Sequence, residues 1–113
     1  PQIPFISNVS GHWITPEAAP DPDYWVKHLR QTVRFSTGVA NLLQAPNRIL
    51  LEVGPGKTLG TLARRQPQWR QNPATALVLN SMRPALSRET DQPSDQALLL
   101  GALGRLWLAG AAV

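Results

Sequence analysis

Apolar residues fall along the 113-residue chain in short runs whose spacing changes from one segment to the next. Residues 3 to 9 (IPFISNV) carry the β-branched and aromatic content of a short buried strand, and Gly11 permits a turn after it. Asp21-Pro22 predicts a helix start, because Asp caps free N–H groups and Pro suits the first helical position. That helix is expected to run to about Leu29, with Tyr24, Trp25, His28 and Leu29 at helical spacing. A second helix fits Ser36 to Ala45, with Val39, Leu42 and Leu43 as its apolar stripe, and Pro46-Asn47 ends it.

Residues 49 to 53 (ILLEV) read as a strand buried on both faces except at Glu52. The loop Gly54-Pro55-Gly56 leads into a third helix marked by Leu59, Leu62 and Ala63, whose last turn carries Arg64 and Arg65. Residues 67 to 74 are a Pro- and Gln-rich loop, and residues 76 to 79 (ALVL) form another short strand. Strands alternating with helices predict an α/β layer with short parallel strands. From Asn80 to Ser94 the composition turns to Ser, Arg, Pro, Asp and Gln, as in a linker. Ser94 or Asp95 can then cap a final helix at about 95–109. Its leucines and Trp107 cover almost its whole circumference, so it calls for burial by more than one neighbour.

Composition adds a few bounds. Apolar residues make up 42% of the chain, close to a globular average, which argues against wholesale disorder. The chain starts at Pro1 without a methionine and stops in an apolar run, so it is expected to be a piece of a longer polypeptide. The absence of cysteine excludes disulfides and Cys-based zinc sites and is compatible with a cytoplasmic setting. No secretory signal is visible. The apolar stretch from Ala97 to Val113 is interrupted by Arg105 and falls short of the roughly 20 residues a membrane span needs, so no membrane association is expected. The net charge is +4, and residues 64 to 88 hold five arginines and no acid. Nucleic acid is not expected as a partner, because only Trp69 interleaves with those basic residues.

Candidate chemistry is sparse. Gly54-Pro55-Gly56-Lys57-Thr58 imitates the end of a phosphate-binding loop, but Leu51 stands where the pattern needs its first glycine, and a structural turn is the better reading. No Gly-x-Ser-x-Gly nucleophile setting exists. His12 and His28 are the only histidines and lie in different segments, so no metal site is expected. Asn8-Val9-Ser10 has the glycosylation pattern but falls on the expected buried strand. Glu52 on its strand is either a perturbed acid or an acceptor for nearby backbone or an arginine.

Four segments in order carry a resemblance. They are Pro4-Phe5-Ile6-Ser7-Asn8-Val9-Ser10-Gly11 with Trp13-Ile14-Thr15; Asp21 to Gln31 (DPDYWVKHLRQ) with Val33-Arg34-Phe35; Leu51 to Leu59 (LEVGPGKTL); and Leu99 to Gly110 (LLGALGRLWLAG). Together they resemble the C-terminal part of the acyltransferase domain of type I modular polyketide synthases, with the linker that follows it. The resemblance covers nearly the whole chain. It implies that residues 1–80 are the C-terminal piece of the hydrolase-like large subdomain and residues 81–113 the post-acyltransferase linker, with its helix at about 95–109.

The family loads a malonyl-type extender unit from coenzyme A onto a serine in a Gly-His-Ser-x-Gly elbow. It then passes the unit to the phosphopantetheine thiol of an acyl carrier protein, with a histidine as base. Those residues, and the arginine that holds the extender carboxylate, precede the region matched here. The implied role of this segment is therefore scaffold, with no cofactor bound by the segment itself. The resemblance further implies that the His28 backbone carbonyl orients the upstream catalytic histidine, and that Arg64 and Arg65 meet the acidic carrier protein. A plain helix end favoured by the dipole explains the two arginines equally well. Implied partners are the upstream acyltransferase segment, the ketosynthase with its linker domain, and the acyl carrier protein. The alternative is a non-catalytic remnant acyltransferase kept as a docking module.

Overall fold

The computed structural model describes residues 2–71, 76–84 and 93–113. The chain divides into two compact units, Pro1–Ala45 and Pro46–Val113.

In the first unit the expected strand over residues 3–9 is reduced to a single antiparallel bridge between Ile6 and Trp13. The hydroxyl of Ser7 explains the loss. It accepts from the backbone N–H groups of Val9 (3.1 Å) and Ser10 (3.3 Å), so local turn bonds replace a ladder. The Ser7 N–H donates to the His12 carbonyl at 2.8 Å and the Gly11 N–H donates to the Ser7 carbonyl at 2.7 Å, closing the reversal. Gly11 has φ +75°, and a Cβ there would lie 2.6 Å from the Thr37 Cβ, so both its backbone and its space demand glycine. Asn8 is exposed on this turn rather than buried in a strand.

Helix α1 spans Pro22–Arg30 as the cap predicted, with Asp21 Oδ1 accepting from the Asp23 N–H at 3.0 Å. Tyr24 is its buried residue, and its hydroxyl donates to Ser7 Oγ at 2.9 Å. Trp25 packs edge-on against Tyr24, stacks on Phe5, and donates through Nε1 to the Ala19 carbonyl at 3.0 Å. Helix α2 spans Phe35–Leu42, ending three residues before the expected Ala45. Gln44 and Ala45 run into Pro46, and a residue before proline is pushed out of the helical region.

The second unit is built on β1 (Arg48–Pro55) and β2 (Ala76–Met82), a parallel pair in which Leu50 faces Val78 and Glu52 faces Asn80. Between them run α3 (Thr58–Arg64) and α4 (Pro67–Gln71), the crossover that a parallel pair requires. The start of α4 replaces part of the expected loop at 67–74, and residues 72–75 lie outside the described residues. β1 is not buried on both faces: Leu51 and Val53 are exposed, Val53 by 82%. Its sheet has two strands among the described residues, with α3 packed on one side. Gly60 seats that helix, since a Cβ there would come within 2.9 Å of Val78 Cγ1. Ala63, Val78, Leu79 and Ala102 form the buried core of the unit.

Helix α5 spans Asp95–Leu108 and is capped by Ser94, whose Oγ accepts from the Ala97 N–H at 3.2 Å. Gly110 at φ +84° ends it, with the Gly110 and Ala111 N–H groups donating to the carbonyls of Trp107 and Leu106. The helix packs on β2 through Ala102, with Leu98 and Leu106 half-buried on the same face. Leu99, Leu100, Leu103, Trp107 and Leu108 remain exposed. The linker expected between the strand and this helix begins after Met82, and its residues 85–92 lie outside the described residues.

These anchors generate two predictions. Ser7→Ala strips an acceptor from three donors and should cost about 1–3 kcal/mol in denaturant unfolding of the first unit, against about 1 kcal/mol for Tyr24→Phe; equal effects would contradict the shared-acceptor account. Asp95 accepts from the Arg83 N–H (2.8 Å) and Nε (3.4 Å), and chiefly the backbone bond holds its carboxyl below the usual value of 3.8. A lowered folded pKa means this support is present above about pH 4 and lost as the pH falls through the folded value. An acid titration of helix content should show that step, and Asp95→Asn should remove it.

Candidate functional site

His28 sits in the last turn of α1. The chain turns extended at Gln31 (φ −88°, ψ 157°), with the Gln31 N–H donating to the Lys27 carbonyl at 2.9 Å. The carbonyls that follow, beginning with that of His28, therefore fall where the helix supplies no donor of its own. The His28 ring is half-buried against Trp25 (centroids 5.5 Å apart) and Tyr24 (6.1 Å). Its Nε2 lies 3.3 Å from Asn8 Nδ2. The side chain is thus packed and hydrogen-bonded, as expected for a structural histidine.

His12 belongs to the same unit and lies on the reversal, with Nδ1 3.1 Å from Asn41 Nδ2. The Asn41 amide also donates to the Gly11 carbonyl at 2.6 Å, tying α2 to the turn. Among the described residues, no group of three or more His, Asp or Glu side chains could hold a metal ion. No helix among them is long and apolar enough to cross a membrane.

The second unit contains Glu52, Arg64 and Arg65. Glu52 accepts from the N–H groups of Leu59 (3.2 Å) and Gly60 (2.9 Å), the first donors of α3. Lys57, at the cap position, makes no such bond, so a carboxylate from the preceding strand caps the helix. Negative charge from the protein already occupies the end where the phosphate-loop imitation would place a nucleotide. Gly54 (φ +142°) and Gly56 (φ +113°) make the turn, and Ser81 Oγ bridges it by accepting from the Gly54 N–H (3.1 Å) and donating to the Glu52 carbonyl (3.0 Å).

The two arginines divide in role. Arg64 donates through Nη2 to the Val78 carbonyl at 2.9 Å and, with Arg105, lines a cleft of about 260 Å³ between β2 and α5. Arg65 is the exposed C-cap residue of α3. The two are adjacent and alike in the sequence, and the position of the Val78 carbonyl, fixed by the parallel register, is what separates them.

The chain is similar over its full length to a polyketide synthase. It is 36% identical over all 113 residues to a phenolphthiocerol/phthiocerol polyketide synthase subunit of Mycobacterium tuberculosis, of which it covers 7%. In fold it matches the acyltransferase domain of SpnD, solved as a complex with 2-(pent-4-yn-1-yl)malonyl, with a TM-score of 0.82 and 41% identity over 97% of this chain. The chain belongs to the polyketide synthase acyltransferases. The acyltransferase domain of ZmaA agrees, with a TM-score of 0.79 and 36% identity over 100% of the chain. The segment spans 25% and 24% of those two solved acyltransferase chains, consistent with the C-terminal part of such a domain. No protein-family model matches it. The α/β arrangement of parallel strands, crossover helices and C-terminal helix is thus that of the acyltransferases.

Within this acyltransferase segment Glu52 carries a local prediction. Glu52→Ala leaves the Leu59 and Gly60 N–H groups without their acceptor and should destabilise the second unit by about 1–2 kcal/mol. Glu52→Gln, which keeps one acceptor oxygen, should lose less. Chemical denaturation of the three proteins checks the order.

Proposed function

We propose that the chain is the C-terminal scaffold of an acyltransferase that moves a malonyl-type extender unit from coenzyme A to the phosphopantetheine thiol of an acyl carrier protein. The observation that carries this reading is the match to the SpnD acyltransferase domain along 97% of the chain at 41% identity. Coenzyme A and phosphopantetheine enter as carriers of the acyl group in the whole domain. The attacking serine and its histidine base are supplied by the preceding segment.

The contribution of this segment is geometric. The His28 carbonyl, in a turn where its own helix offers no donor, accepts the ring N–H of the catalytic histidine and holds the other ring nitrogen free to take the proton of the serine. Main chain does this work, so a side-chain change at His28 need not abolish activity. Arg65 and the outward part of Arg64 present positive charge to an acidic carrier protein, with Arg65 the freer of the two.

The reading is tested by reconstitution. The chain alone should transfer no acyl group from malonyl-CoA, and joining it to the preceding acyltransferase segment should restore transfer to the carrier protein. A folded, rejoined domain that binds a ketosynthase but performs no transfer would favour the docking-remnant alternative. In the active domain Arg65→Glu should raise the KM for the carrier protein about two- to fivefold, with the effect shrinking as salt is added.

A further inference from the structure

One residue holds both flanks of the stretch that carries the free carbonyls of α1. Asn8 lies 3.3 Å through its side-chain amide from His28 Nε2, in the last turn of α1. Its backbone carbonyl accepts from the Arg34 N–H at 2.8 Å, at the residue that precedes α2. Residues 29–33 are therefore suspended between two points on Asn8. The base of this clamp is stiff, because the neighbouring Ser7 hydroxyl is buried and engaged by Val9, Ser10 and Tyr24.

The other side of the last turn has little to restrain it within this unit. Leu29 is 85% exposed and Val26 57% exposed, and the Tyr24 anchor lies a full turn earlier. Helix ends fray when they lack side-chain partners. The groups facing the His28 ring are Tyr24 and Trp25 from its own helix and Asn8 from the turn. Of these, Asn8 alone comes from outside α1, while Tyr24 and Trp25 are themselves held by Ser7, Phe5 and Ala19.

We propose that Asn8 is a positioning residue for acyl transfer: by gripping the His28 ring it fixes the direction of the His28 carbonyl. This rests on the role proposed for that carbonyl in orienting the catalytic histidine. Small displacements of a group that orients a catalytic base lower turnover more than substrate binding.

The test uses the complete acyltransferase domain that contains this chain. Asn8→Ala should lower kcat for transfer from malonyl-CoA about three- to tenfold, with KM nearly unchanged. Asn8→Asp, whose carboxylate accepts from the ring N–H of His28, should retain most of the turnover. His28→Ala keeps the carbonyl but removes the grip, so it should match Asn8→Ala, and the double variant should be no slower than either single one. Hydrogen exchange at residues 31–34 reads the clamp independently of activity and should quicken in Asn8→Ala. Unchanged exchange overturns the clamp itself. Faster exchange with unchanged kcat leaves the clamp standing but overturns the role of the His28 carbonyl, and the proposal with it. A fall in kcat that tracks a lower melting temperature, without rescue by Asn8→Asp, shows a merely structural residue and also overturns it.

Discussion

A backbone N–H withdrawn from water must find an acceptor, and at two sharp reversals of this chain a side chain supplies one. In the first unit it is the Ser7 hydroxyl, only 2% exposed, which gathers two turn amides and the Tyr24 hydroxyl. That one oxygen sets the shape of the reversal and the seat of α1 together. In the second unit the Glu52 carboxylate does the equivalent for the first donors of α3. Without the first, α1 loses the partner that seats Tyr24; without the second, α3 loses the acceptor at its start.

The chemistry of the segment follows from this division of labour. Its polar side chains are spent on holding backbone in place: Asn41 on the Gly11 carbonyl, Ser81 across the Gly54 turn, Arg64 on the Val78 carbonyl. On the function proposed, what such a scaffold offers the reaction is main chain in a defined direction. The end of α1 is a suitable place for it, because a helix that stops at Gln31 leaves carbonyls pointing onward with no donors of their own. The glycine-rich turn after β1 serves the same end. It resembles a nucleotide loop in composition, yet the carboxylate beneath it has already taken the amides a phosphate would need.

Membership of the acyltransferase family rests on agreement over almost the whole chain in both sequence and fold. The matched mycobacterial synthase is many times longer than this segment. Exposed apolar rows on α5, and Val53 on β1, are surface of the kind that multidomain proteins cover with neighbouring parts of the same chain.

Helix starts were legible in the sequence because caps are local: Asp21-Pro22 and Ser94 each act on amides within three residues. The parallel strands were legible for the same reason, through runs such as ALVL bounded by breakers. Four ordered motifs also carry the resemblance to the family within the sequence itself. Tertiary structure alone decided the rest. Residues 3–9 have strand composition, but the Ser7 hydroxyl draws the Val9 and Ser10 amides into a turn, so only the Ile6–Trp13 bridge survives. β1 reads as buried on both faces, but burial depends on what lies opposite, and among the described residues Leu51 and Val53 stay exposed. The separate fates of Arg64 and Arg65, and the hold of Asn8 on His28 and Arg34, arise between residues far apart in the chain. Spacing cannot announce them, because such bonds depend on strand register and helix placement rather than on neighbouring residues.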